Sequence, residues 1–170
     1  MQVLRSVVLS LTVLAACASA CRAETTDLSG IEESRAKYLA ANQYNEFVGF
    51  LGDIKEKDKL KQLELNYYKA QARYLQLKYL EEKQSWDDYF TNGNNYRQQL
   101  EQNAQKVVEQ AGIDNPLRIK ARLLLWQFHH GQQDAFVQAA FDNLVIDVNA
   151  YIKVKNDPEL IKSIADSLLA

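Results

Sequence analysis

Residues 60–80 read LKQLELNYYKAQARYLQLKYL. Two apolar seams run through this stretch. Leu60, Leu63, Tyr67, Ala70, Tyr74 and Leu77 step by 3, 4, 3, 4 and 3, while Leu65, Tyr68, Ala72, Leu75 and Tyr79 step by 3, 4, 3 and 4. Steps of three and four place residues on one helix face. A single seam would suit a two-stranded coiled coil. Two seams make a wide apolar surface, which a helix needs when it has neighbours on both sides. The stretch therefore predicts a central helix in a layered, all-α molecule.

The flanking sequence repeats the helical period. Ser29 and Glu32 have capping-box spacing and predict a first helix from about Gly30 to about Asn42. A second helix carries Tyr44, Phe47, Leu51 and Ile54. The polar run Lys55-Glu56-Lys57-Asp58-Lys59 reads as a solvated helix end or loop. Ser85 is a candidate N-cap for a fourth helix, with Asp87 and Asp88 suited to the positive end of its dipole. Thr91-Asn92-Gly93-Asn94-Asn95 is a candidate interruption, after which Tyr96, Leu100, Ala104, Val107 and Ala111 resume the stripe and Gly112 stops it. Asn115-Pro116 starts a fifth helix with Leu117, Ala121, Leu124 and Phe128 inward, ending at Gly131. Val137, Phe141, Leu144, Val148 and Tyr151 mark a sixth; Asp157-Pro158 starts a seventh with Leu160, Ile161, Ile164 and Leu168. The apolar pattern is still running at Ala170, as in a capping helix or a repeat protein that continues.

The expected fold is all-α, with antiparallel helix pairs stacked as a short α-solenoid; a plain helical bundle is the alternative. Composition agrees. Of 170 residues, 47% are hydrophobic and 25% charged, and only 6 Gly and 2 Pro break the chain, too few for a many-turned β-sandwich. The net charge of −2 argues against a broad nucleic-acid footprint.

The amino terminus reads as an address. Arg5 precedes the apolar run Val7–Ala16, which is too short to span a bilayer but has the length of a signal-peptide core. The run ends in Leu14-Ala15-Ala16-Cys17, which resembles the lipobox of bacterial lipoproteins. The resemblance implies cleavage before Cys17, acylation of its thiol and further acylation of the freed amine. Two or three acyl chains hold a protein on a membrane far better than one. The alternative is an ordinary secretory signal, cut after Ala18-Ser19-Ala20 or after Cys21-Arg22-Ala23. Residue 18 is Ala, not the Asp that retains such lipoproteins in the inner membrane, so the resemblance implies an outer-membrane location facing the periplasm. The organisation is then a signal peptide over 1–16, a lipidated cysteine and tether over 17–28, and a helical-repeat domain over 29–170. Cys17 and Cys21 are the only cysteines, so the folded part has no disulfide framework and must stand on its core.

Within the helical part, Ala72, Leu75 and Tyr79, the turn Lys83-Gln84-Ser85, and Trp86 with Tyr89 resemble a tetratricopeptide repeat, in which small and aromatic residues of one helix pack on an aromatic just past the turn. Tyr38-Leu39 to Phe50, with Asn42-Gln43-Tyr44 at its turn, and Ala121 to Phe141, with Gly131 at the turn, match more weakly. The post-turn aromatics Tyr44, Trp86 and Phe136 stand 42 and 50 residues apart, against a family period of about 34. The consensus Gly and Pro are not reproduced. Tyr74, Tyr79 and Trp86 are expected in the core.

Chemistry is sparse. There is no Gly-rich phosphate loop, Gly-x-Ser-x-Gly elbow or His-Glu-x-x-His pattern. His129 and His130 are the only histidines; His130 and Asp134 have ligand spacing, but Gly131 lies between them, and imidazoles suit a helix C-terminus. The carboxylate pairs Glu32-Glu33, Glu81-Glu82 and Asp87-Asp88 are adjacent in sequence and do not face each other on a helix. No catalytic residue, metal site or cofactor is assigned. Candidate partner-binding residues are Tyr67 and Tyr68, as aromatic anchors, and Arg118 and Arg122, from the small basic cluster that opens the fifth helix. The expectation is a membrane-anchored envelope lipoprotein that binds an envelope protein or peptide as an adaptor or assembly factor. The alternative is a periplasmic bundle that binds a small ligand or lipid.

Overall fold

The computed structural model describes residues 28–169, which fold into seven helices: α1 (Leu28–Ala40), α2 (Tyr44–Asp53), α3 (Lys59–Glu82), α4 (Trp86–Gln110), α5 (Pro116–Gln132), α6 (Val137–Val154) and α7 (Pro158–Leu169). No strand occurs among the described residues. By its contacts the chain divides into Met1–Glu33 and Ser34–Ala170. Of the first unit, the described residues are the opening turns of α1. The second holds the rest of α1 and all of α2–α7.

The two seams of α3 pack on two sides, as the sequence predicts, except at Leu60, which opens the first seam and is 61% exposed because it sits in the first turn beyond its neighbours. Leu63, Ala70 and Leu77 of the first seam join Leu100, Ala104 and Val107 of α4 and Ala121, Leu124 and Phe128 of α5 in one apolar cluster, with Tyr67 and Tyr74 packed against it. From the second seam Leu65 and Ala72 are buried too. On that side Tyr79 meets Tyr44 of α2 with ring centroids 5.7 Å apart, and Arg35 Nε of α1 donates to Gln71 Oε1 at 3.1 Å. A lone hairpin would leave one seam wet.

Consecutive helices are antiparallel. Along α3 and α4, Arg73 meets Gln99, Leu77 lies beside Gly93, and Glu81 meets Tyr89. Along α5 and α6, Arg118 meets Asp147, Trp126 meets Phe141, and His129 meets Phe136. Alternate helices touch as well. α3 contacts α5 directly, and α5 shares with α6 and α7 a second cluster built on Ile119, Leu144, Tyr151 and Ile164. Helix pairs thus stack one after another, each odd-numbered helix beside the next.

Two kinds of turn alternate through this stack. Each odd-to-even turn holds a residue in the left-handed region: Asn42 (φ 56°), Gln84 (φ 53°) and Gln133 (φ 51°). Each is followed by the same bond across six residues, from Gln43 N to Tyr38 O, Ser85 N to Leu80 O, and Asp134 N to His129 O. These are Schellman-type closures, which satisfy the last carbonyls of a helix. Each even-to-odd turn is extended instead, and a carboxylate or amide caps the next helix: Asp58 Oδ1 accepts from Leu60 N at 2.8 Å, Asn115 Oδ1 from Leu117 N at 2.9 Å, and Asp157 Oδ1 from Leu160 N at 3.0 Å. The punctuation repeats although the helices differ in length.

Several local expectations change. The first helix begins at Leu28, before its expected start. Ser85 holds the N-cap position of α4 without a side-chain bond. α4 runs unbroken through Thr91–Asn95, because Gly93 is buried against Leu77 and Tyr89 and the packing overrides its low propensity. α5 passes Gly131 and turns at Gln133. Trp86 is not in the core: it is 45% exposed, and Tyr89 takes the inward place, packed on the cluster with its hydroxyl donating to Glu81 at 2.8 Å.

Candidate partner-binding groove

Because α5 follows α3 directly, α4 and α6 stand on either side of it and leave a groove over its surface. The groove holds about 470 Å³. Its floor is Arg122, one of the four sequence candidates, with Leu125 and His129 of α5, and one wall is the polar face of α4, with Glu101, Gln102 and Gln105. The other wall is mostly apolar. Phe136 at the N-cap of α6, then Ala139, Ala140 and Asn143 on α6, recur at helical spacing. Ile146, one turn further on the same stripe, is 63% exposed, as is Phe136 at its start. Exposed large apolar side chains in one stripe mark interaction surfaces.

The turn that sets this wall is fastened by one carboxylate. Asp134 Oδ1 accepts from Phe136 N at 2.8 Å, and Oδ2 faces His129 Nδ1 at 2.7 Å. The sequence pairs Asp134 with His130 by spacing; the fold pairs it with His129. His130 turns to the opposite face of α5 and stacks on Trp126 at 5.1 Å. An aspartate that orients a histidine is half of a general-base arrangement, yet the residues lining the groove include no Ser, Thr, Cys or Lys to act on. Among the described residues no group of three His, Cys, Asp or Glu could hold a metal ion.

The fold does not bring the four sequence candidates together. Tyr67 and Tyr68 lie on α3 with rings 5.9 Å apart. Burial pushes the Tyr67 hydroxyl above its ordinary range against the opposing charge of Arg35, and the same guanidinium lies 5.7 Å over the Tyr68 ring. Neither ring stands free as an anchor. Arg118 and Arg122 converge on a residue that sequence reasoning missed, Asp147 of α6, 5% exposed. Arg118 Nη2 donates to Oδ1 at 2.9 Å and Arg122 Nε to Oδ2 at 2.8 Å. Arg118 Nη1 also donates to the carbonyls of Val108 and Ala111, closing the end of α4. Burial alone would raise the Asp147 pKa; the hydrogen bonds and charges of the two arginines outweigh it and hold the carboxyl below its ordinary range. These arginines fasten α4, α5 and α6 together. Cys17 lies outside the described residues.

A second buried cation, Arg73 (6% exposed), faces no carboxylate among the described residues. Its Nε donates to Gln99 and its Nη1 to Asn45 and Gln76, and the guanidinium lies 4.8 Å over the Tyr96 ring. Through these amide oxygens and the ring face it ties α2, α3 and α4. A smaller opening of about 410 Å³ lies across α3, α5 and α7, edged by Tyr74, Lys78, Trp126 and His130. No protein-family model matches the chain, nor does any curated protein or solved structure. No described helix is long and apolar enough to cross a membrane.

Proposed function

We propose that this protein is an envelope lipoprotein, acylated at Cys17 and held on the periplasmic side of the outer membrane, whose helical domain binds another envelope protein as an adaptor or assembly factor. The groove between α4 and α6 takes the partner. The observation that carries this reading is the open, one-sided character of that groove: an apolar stripe with Phe136 63% exposed, facing a polar wall, with no catalytic set completed along it. It has the form of a helix-in-groove surface, where apolar anchors at three- and four-residue spacing meet a partner helix. A ligand-binding bundle would instead enclose its ligand. Crosslinking in cells followed by mass spectrometry, with wild type beside Cys17→Ala, tests the reading. One defined envelope complex, weakened in the variant, is expected. A copurifying lipid or small molecule with no protein partner would replace the adaptor by the ligand-binding alternative.

A further inference from the structure

Five of the chain's lysines fall within residues 55–69: Lys55, Lys57, Lys59, Lys61 and Lys69. The fold gathers three of them around one notch. The loop between α2 and α3 bends back over the second and third turns of α3 and leaves about 430 Å³ between Lys55, Lys57 and Lys69, with Gln62 and Asn66 beside them. The loop's two carboxylates are already engaged. Glu56 Oε1 accepts from Lys57 N at 2.7 Å and Asp58 N at 2.9 Å, and its Oε2 lies 3.8 Å from Lys61 Nζ. Asp58 caps α3. No ion pair within 4.0 Å joins Lys55, Lys57 or Lys69 to a carboxylate among the described residues. Burial, and the like charge of Lys106 on α4, push the Lys69 ammonium below the usual lysine range. An anion in the notch would relieve both effects.

The path of the chain says what kind of anion comes near. The Ser34–Ala40 part of α1 runs antiparallel to α2, and α2 to α3, so α1 enters the stack from the direction of the edge where α3 starts, the edge with the notch. The ten residues 18–27 separate an acylated Cys17 from α1 and can span at most about 35 Å. We infer that the notch lined by Lys55, Lys57 and Lys69 seats the phosphate of an anionic lipid headgroup, so that this edge of the helix stack rests on the membrane surface. The orientation rests on the anchored reading above; the charge chemistry of the notch does not.

The test uses the full chain carrying Cys17→Ala, which cannot be acylated. Its partition is measured onto phosphatidylcholine vesicles with and without phosphatidylglycerol. Preference for the anionic vesicles is expected, falling steeply as salt rises to about 0.5 M. Each lysine at an anionic surface is worth roughly fivefold in partition, so Lys55→Gln with Lys57→Gln and Lys69→Gln should cost on the order of a hundredfold. Lys78→Gln with Lys83→Gln, at the opposite edge, should cost nothing. Equal binding to both vesicles, or a triple variant that keeps its preference, overturns the inference. The salt and composition arms use unsubstituted lysines and decide the matter even if the triple variant fails to fold. The anchored reading fails separately, if wild-type chain extracted from bacterial membranes carries no acyl mass at Cys17.

Discussion

The two edges of the helix stack solve the same problem by different chemistry. Where an even helix gives way to an odd one, Asp58, Asn115 and Asp157 cap the incoming helix, and Arg118 seals the end of α4. Where an odd helix gives way to an even one, the outgoing helix closes on a left-handed Asn or Gln, and aromatic side chains are left outside: Trp86, Phe90 at 75% exposure, and Phe136. The first edge is capped by side chains and rich in lysine, with single aliphatic residues exposed at each turn (Leu60, Ile113 and Val154). The second accepts local backbone strain and exposes aromatic rings. On the adaptor reading proposed above, the aromatic edge is the one that would meet protein.

The largest test of this contrast is Asp147, which fastens the capped edge. Asp147→Ala leaves two partly buried arginines facing each other. Losing one member of a buried ion pair costs about 3 kcal/mol when the others can still relax toward water, or about 10 °C in Tm for a domain of this size. Thermal unfolding checks it. The same residue predicts a pH dependence. Its folded pKa lies below the unfolded value of about 3.9. Its contribution is therefore complete above that value and is lost as pH falls through the folded pKa. Asp147→Asn should narrow its stability gap to wild type below about pH 4 and keep the gap constant above about pH 5.

The caps come next. Asp58→Ala and Asn115→Ala should each destabilise by about 1 kcal/mol in denaturant titration. Cap changes that cost nothing would remove the proposed asymmetry between the edges. The smallest expected effect has the opposite sign. Gln84→Gly and Gln133→Gly relieve left-handed backbone strain and should stabilise by about 0.5 kcal/mol each, because glycine's greater freedom in the unfolded chain offsets part of the gain. A loss of stability at both would mean these turns are not strained.

What the sequence discloses follows how local the physics is. The paired seams of residues 60–80 place α3 between neighbours, because helical spacing alone determines a face. Asn115-Pro116 and Asp157-Pro158 mark helix starts, because capping is settled within three residues. Asp58 caps a helix equally well but is hidden in a run of alternating charge. Trp86 and Tyr89 are both aromatic and three residues apart, and which of them turns inward depends on Glu81 and Arg97, beyond any periodic pattern. Arg118 and Arg122 look like a solvated basic cluster until α6 brings Asp147 to them from across the fold. The groove was not legible at all. It is space left between α4 and α6 by the packing of α5, and no residue pattern encodes it directly.

On the proposed reading the partner sits in the groove between α4 and α6. A photo-crosslinking residue placed at position 136 of the full chain in cells tests it most directly, with the same group at position 60, exposed at the other edge, as the reference. One discrete protein adduct is expected from position 136, lost with Ala139→Asp, and none from position 60. Equal labelling from both positions, or adducts at neither, would contradict it.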